Sequence, residues 1–218
     1  MELESVCFRA PSKETDVEIT VKRSRFIGSV RTALTAEEAQ EKIKEISAKY
    51  PKATHYCWAY RIGAKNALEH CSDAGEPSGT AGRPILGALK RCELDNTLLV
   101  VTRYFGGIKL GVRGLIDAYG EAAQLAAEAC EAREMEFCQP LRLVCGYDYS
   151  KTLLTTLDKH GFGDTERTVC FGEAVEVTFD VPFAKVRELE PPLCEMKDRG
   201  LLALLEWGQE KKVKERRR

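Results

Sequence analysis

Thr97-Leu-Leu-Val-Val-Thr-Arg103-Tyr-Phe-Gly-Gly-Ile-Lys109-Leu-Gly-Val-Arg113-Gly-Leu-Ile-Asp-Ala-Tyr119 contains a strand, a glycine turn and the start of a helix. Leu98 to Val101 is an unbroken apolar run, as in a strand covered on both faces. Gly106-Gly107 ends it. Val112, Leu115, Ile116, Tyr119, Ala122, Ala123, Ala126 and Cys130 then recur at helical spacing, which predicts a long amphipathic helix fading near Arg133. A doubly covered strand feeding such a helix needs a sheet with helices packed on it, so the fold class is mixed α/β (α+β).

Upstream, Val17, Ile19 and Val21 alternate with polar residues, and Phe26, Gly28 and Val30 resume beyond the basic Lys22–Arg25 cluster, giving a hairpin. Thr35-Ala-Glu-Glu38 is a capping box opening a helix that ends near Tyr50, before Pro51. Tyr56–Ile62 reads as a strand and Gly63–Gly82 as a loop. Pro84 suits the first turn of a helix carrying Ile85, Leu86 and Leu89. After Pro140 the pattern restarts: strand Leu141–Tyr149, helix Lys151–His160, strands Thr165–Phe171 and Ala174–Val181, helix Phe183–Arg199 and strand Leu201–Trp207. That β-α-β-β-α-β order is ferredoxin-like, with Pro191-Pro192 expected to break or kink the second helix. The predicted domains are 1–134 and 140–210, joined by a protease-accessible segment near Arg133–Arg142 and followed by a basic tail at 211–218.

Of the 218 residues, 44% are hydrophobic and 31% charged, which excludes disordered, collagen-like and coiled-coil classes. No run is long enough to span a membrane, and Met1–Ala10 lacks the features of a secretory signal, so a cytoplasmic location is expected. Nine cysteines, an odd number without an export signal, read as reduced thiols; with no C-x-x-C pair, neither a metal nor a cofactor is expected. Lys211–Arg218 carries +5, leaving −6 for the remainder of a chain of net charge −1. Such a tail suits contact with RNA phosphates, or is simply a frayed terminus.

Residues 75–120 hold nine of the 17 glycines, in two turns. Neither carries a nucleotide fingerprint: Val112 stands where a Walker-type lysine belongs, and no G-x-G-x-x-G occurs. The first turn, Asp73-Ala-Gly-Glu76-Pro-Ser78-Gly-Thr80-Ala-Gly82-Arg83-Pro84, sets acids, hydroxyls and an arginine at a helix N-terminus, where an anion would be favoured. Alternatively Ser78 and Thr80 only turn the chain while Glu76 pairs with Arg83. A Ser78 nucleophile with His55 or His70 as base has no supporting spacing. The second turn, from Val101 to Gly114, carries Arg103, Lys109 and Arg113 with no acid, beside Tyr104 and Phe105. Cations, aromatics and glycines together make a single-stranded nucleic-acid surface, and alternation puts one of the two rings inside.

Ala53-x-His55-x-Cys57-x-Ala59-Tyr60-Arg61-Ile62-Gly63, the Asp73–Leu86 block and Arg103-Tyr-Phe-Gly-Gly-Ile-Lys-Leu-Gly111 resemble the signature blocks of the IMPACT/YigZ family, over roughly residues 16–130. The resemblance implies an N-terminal βββαβα domain of the ribosomal-protein type, like domain IV of elongation factor G, followed by a C-terminal ferredoxin-like domain. It also implies an association with translation and with RNA or the ribosome, no membrane, no established reaction, and a protein partner it leaves unknown. Val112-Arg113-Gly114 departs from the usual Thr-Gly-Gly of bacterial relatives.

The expected site therefore has Arg83, Arg103, Lys109 and Arg113 on phosphates and Tyr104 or Phe105 stacking. His55, Arg61, Asp73, Glu76, Ser78 and Thr80 would shape a loop and anion site. The alternative is an enzyme acting on a small phosphorylated or carboxylated substrate at the glycine turns, with Asp73 or Glu76 as acid/base and His55 assisting.

Overall fold

The computed structural model describes residues 7–63, 67–209 and 212–216. Its elements are β1 (Cys7–Pro11), β2 (Thr15–Val21), β3 (Ser24–Thr32), α1 (Ala36–Lys49), β4 (His55–Ile62), β5 (Leu68–Ser72), α2 (Gly82–Arg91), β6 (Thr97–Tyr104), α3 (Gly111–Ala129), β7 (Ala132–Cys145), α4 (Tyr147–Lys159), β8 (Arg167–Phe171), β9 (Val175–Pro182), α5 (Phe183–Asp198), β10 (Leu202–Trp207) and β11 (Lys212–Glu215). This is a mixed α+β chain with two sheets, dividing into compact units at Met135/Glu136. Among the described residues no helix is long and apolar enough to cross a membrane.

In the first unit the strand order is β2-β3-β6-β4-β5, antiparallel at every pairing. The apolar run in β6 is explained by helices on both sides. Leu99 and Val101 point into the core with α2 and α3, whereas Leu98 and Val100 join Ala39 and Ile46 of α1. Gly28 on β3 lets α3 approach: a Cβ there would lie 2.7 Å from the Ala122 carbonyl oxygen. The capping box forms, with the Glu38 N–H donating to Thr35 Oγ1 at 3.1 Å. The Glu38 carboxylate accepts from Leu34, one residue before the cap, at 2.8 Å.

The Gly63–Gly82 segment is not all loop. Leu68–Ser72 forms β5, a short edge strand paired with β4, and its weak alternation in Leu-Glu-His-Cys-Ser hid it. The same pairing carries His70 to the α1 face, where it stacks on Trp58 and Tyr60.

In the second unit β9 lies between β7 and β8, and β10 and β11 both pair with β7. Leu143, Val177, Leu153, Leu157, Leu189 and Leu193 form its core. The element order β7-α4-β8-β9-α5-β10 is as expected, but β7, α4 and α5 each differ from the expectation. β7 runs unbroken through Pro140, because the Pro140 carbonyl points away from β9 to accept the Gly208 N–H at 2.8 Å. In an antiparallel ladder N–H and C=O of one residue point the same way, so the missing donor removes no bond to β9. α4 starts earlier than expected, at Tyr147. α5 continues across Pro191-Pro192, where Leu189, Leu193 and Met196 keep one stripe buried. The basic segment is not a frayed end over its described part: Lys212–Glu215 is β11, and Lys212 and Lys214 pair with Asp180 at 3.3 and 2.6 Å. Residues 211, 217 and 218 of that tail lie outside the described residues.

Candidate nucleic-acid interface

Register decides which side chains meet at the glycine turns. His55, Arg103 and Phe26 lie side by side on β4, β6 and β3, on the face toward α2 and α3. Arg103 is 5% exposed, so it is not a surface phosphate contact. Its Nη1 donates to Glu76 Oε1 at 2.5 Å, and its guanidinium centre lies 5.4 Å from the ring centroids of both Phe26 and Phe105. The Tyr119 hydroxyl donates to the same Glu76 oxygen at 2.9 Å. Burial holds the Tyr119 hydroxyl protonated well above its ordinary range. Glu76 thus pairs with Arg103 rather than Arg83, which is exposed on the first turn of α2.

His55 is fixed by the Ala74 carbonyl, 3.0 Å from Nδ1, which makes Nδ1 the protonated nitrogen and turns Nε2 toward Glu76 at 3.8 Å. Cys57 lies beneath, its thiol 2.9 Å from the Asp73 carbonyl and 3.4 Å from the Tyr119 hydroxyl. Burial pushes that thiol up to about 12, with Glu76 and Asp73 adding to the effect, so it stays protonated and is a poor nucleophile.

The anion site expected at the N-terminus of α2 is filled from within. The Asp73 carboxylate accepts the N–H groups of Gly79, Ala81 and Gly82 at 2.8, 2.9 and 2.8 Å. Burial alone would raise this carboxyl, but those N–H groups hold it below the usual range. Gly82 is needed for the close approach, since a Cβ would sit 3.0 Å from the Ser72 backbone. Thr80 is buried and donates to the Pro77 carbonyl at 2.7 Å, while Ser78 is exposed. Arg61 belongs elsewhere: it pairs with Glu69 and Asp95 at 3.4 and 3.1 Å. Asp73 and Thr80 therefore brace the first turn on itself, Glu76 ties it to β6 and α3, and both carboxylates are engaged within the protein.

The second turn has the opposite character. Phe105 (46% exposed), Ile108 (41%) and Val112 (62%) present apolar surface on the same segment as the exposed Lys109 and Arg113. Arg113 Nε donates to the exposed Asp117 carboxylate one helical turn on, at 3.2 Å, a solvent-exposed ion pair. Tyr104 points to the other face, half-buried, with its hydroxyl on the Pro51 carbonyl at 3.1 Å and Arg25 over its ring at 5.2 Å. Neither ring fills the core as alternation suggested, because Arg103 takes the inward position at the end of β6 and Glu76 neutralises it. The β2–β3 turn, Lys22-Arg23, also lies here: a Cβ on Gly106 would be 2.0 Å from the Arg23 carbonyl oxygen. No motif or spacing assigned this basic pair a place in the site.

Residues 22–127 match the family described as the Impact N-terminal domain. Over 205 residues the chain is 30% identical to IMPACT family member YigZ of Escherichia coli (strain K12), covering 89% of this chain and 95% of that one. The chain belongs to the IMPACT family. It is also 34% identical over 155 residues to an IMPACT family member of Haemophilus influenzae, covering 70% and 75% of the two chains. The match to IMPACT family member YvyE of Bacillus subtilis, 51% identical over 105 residues, spans about half of each chain. A crystal structure described as that of an hypothetical protein superposes with a TM-score of 0.65 at 30% identity, over 94% of this chain and all of that one. The matched region of this IMPACT family chain contains both glycine turns and the Glu76–Arg103 pair.

Proposed function

We propose that this chain binds RNA, within the ribosome or apart from it, and takes part in regulating translation. The observation that carries the reading is the β6–α3 turn, where Phe105, Lys109 and Arg113 are all exposed on one glycine-permissive stretch of backbone. Cations neutralise phosphates and an aromatic face stacks on a base of any sequence, so such a surface favours single-stranded or looped RNA. Arg83 is a further exposed cation in the first turn. The translational setting is what membership of the family implies. Within this reading the first unit is a ribosomal-protein-type domain with α1 and β5 added, and the second a ferredoxin-like domain folding as its own unit; the β-α-β-β-α-β order supports the latter. The enzyme alternative is weaker, because Asp73 and Glu76 are both committed to intramolecular partners.

Crosslinking in cells, followed by recovery of RNA bound to the full chain, tests the reading. Ribosomal RNA enriched over size-matched controls supports it, and recovery at control levels contradicts it.

A further inference from the structure

Val21-Lys22-Arg23-Ser24 closes the β2–β3 hairpin with two residues, both left-handed: φ is +44° at Lys22 and +68° at Arg23. A hairpin connection of this kind is best served by Asn-Gly, since side chains with an ordinary Cβ resist that backbone. The fold gains nothing visible from a basic pair. Both side chains are exposed, and among the described residues neither has a carboxylate partner. Yet the turn is held firmly in place. Gly106 packs directly on the Arg23 carbonyl, and its N–H donates to the buried Ser24 hydroxyl at 3.1 Å. This packing sets Lys22 and Arg23 beside the turn that carries Phe105 and Lys109.

We infer that the Lys22-Arg23 turn is a second phosphate-contacting loop, which together with the β6–α3 turn grips the backbone of an RNA strand. The inference rests on the RNA reading above and adds to it residues that lie outside the motif blocks. Two unpaired cations kept in a backbone that disfavours them are explained by a polyanion, and the adjacent exposed ring favours RNA over an acidic protein. Backbone preference and ligand binding then oppose each other at the same two positions, which makes the inference open to a sharp test.

The full-length double variant Lys22→Asn/Arg23→Gly is compared with the parent chain by thermal unfolding and by salt titration of binding to a fluorescent single-stranded RNA. The expected result is a higher melting temperature together with weaker binding, and a salt slope smaller by roughly 1.4, from about 0.7 for each phosphate no longer neutralised. Lys22→Gln/Arg23→Gln, which removes charge without reshaping the turn, is expected to lower the slope equally. Free inorganic phosphate at equal ionic strength should not displace the RNA, because the binding is to a polymer; displacement would assign the turn to a small anion and overturn the inference. If both turn variants keep the parent's affinity and slope while Lys109→Ala/Arg113→Ala loses them, the turn lies outside the interface and the RNA reading alone survives. If the parent binds polyglutamate but no RNA at any salt, both fall.

Discussion

Arg103→Met would leave the Glu76 carboxylate buried with the Tyr119 hydroxyl at 2.9 Å and His55 Nε2 at 3.8 Å, but without its guanidinium. Removing one partner of a buried ion pair costs ~3–5 kcal/mol, so this variant should unfold at clearly lower denaturant than the parent, a difference chemical denaturation measures directly. Weaker RNA binding in it would report instability and not the removal of a phosphate ligand. The pair also shows the limit of reading residues from sequence. That Arg103 and Glu76 carry charge is plain, but which strand face each takes depends on register, and alternation alone could not weigh a buried arginine against Tyr104. A thiol gives a second test at this scale. With burial raising Cys57 to about 12, it should resist a disulfide-exchange reagent at neutral pH in the native protein, while the exposed Cys7, Cys170 and Cys194 react; mass spectrometry of the labelled peptides distinguishes them. Fast native labelling of Cys57 would show that its pocket opens.

At the level of elements, Asp73 is the cap that α2 lacks in its own Ala81 position. Asp73→Ala strands three N–H groups and should lower stability by about 1–3 kcal/mol, again read by denaturant unfolding. The hairpin, the capping box, β6 and α3 were legible in the sequence because each carries a strong local signal. β5 was not, since an edge strand half-open to water needs no apolar alternation, and the role of Asp73 was obscured because its partners lie six to nine residues away. Asp16, on β2, links that strand to α1 through Lys49 and Tyr50 and to β3 through Arg31. Burial opposes its ionisation, but these partners and Ser29 bring its carboxyl down from 3.8 to about 2. A carboxyl depressed in the folded state stabilises above its unfolded pKa and loses that contribution as pH falls toward its folded one. Stability should therefore decline between about pH 4 and pH 2. Asp16→Asn should flatten that part of the curve by roughly 1 kcal/mol, after allowance for solvent screening.

At the scale of the whole molecule, β7 replaces the open linker that the Pro140 restart suggested. β9 pairs with this strand from Cys138 and β10 from Leu141, so limited proteolysis should spare Cys138–Arg142 under native conditions; early cleavage there would contradict the strand. The restart of hydrophobic patterning was legible, whereas the continuity of β7 through it depends on a proline whose missing donor faces away from β9. The basic segment changes meaning too: with Lys212 and Lys214 paired to Asp180, less of its charge is free for RNA than a net +5 suggests. The central claim is that the β6–α3 turn contacts RNA phosphates, and the salt dependence of binding measures that most directly. Anisotropy of a labelled single-stranded RNA, titrated against the parent and Lys109→Ala/Arg113→Ala over a range of salt, should show the variant's slope smaller by about 1.4, with stability within about 0.5 kcal/mol per site. Full affinity and an unchanged slope in that variant would contradict the account.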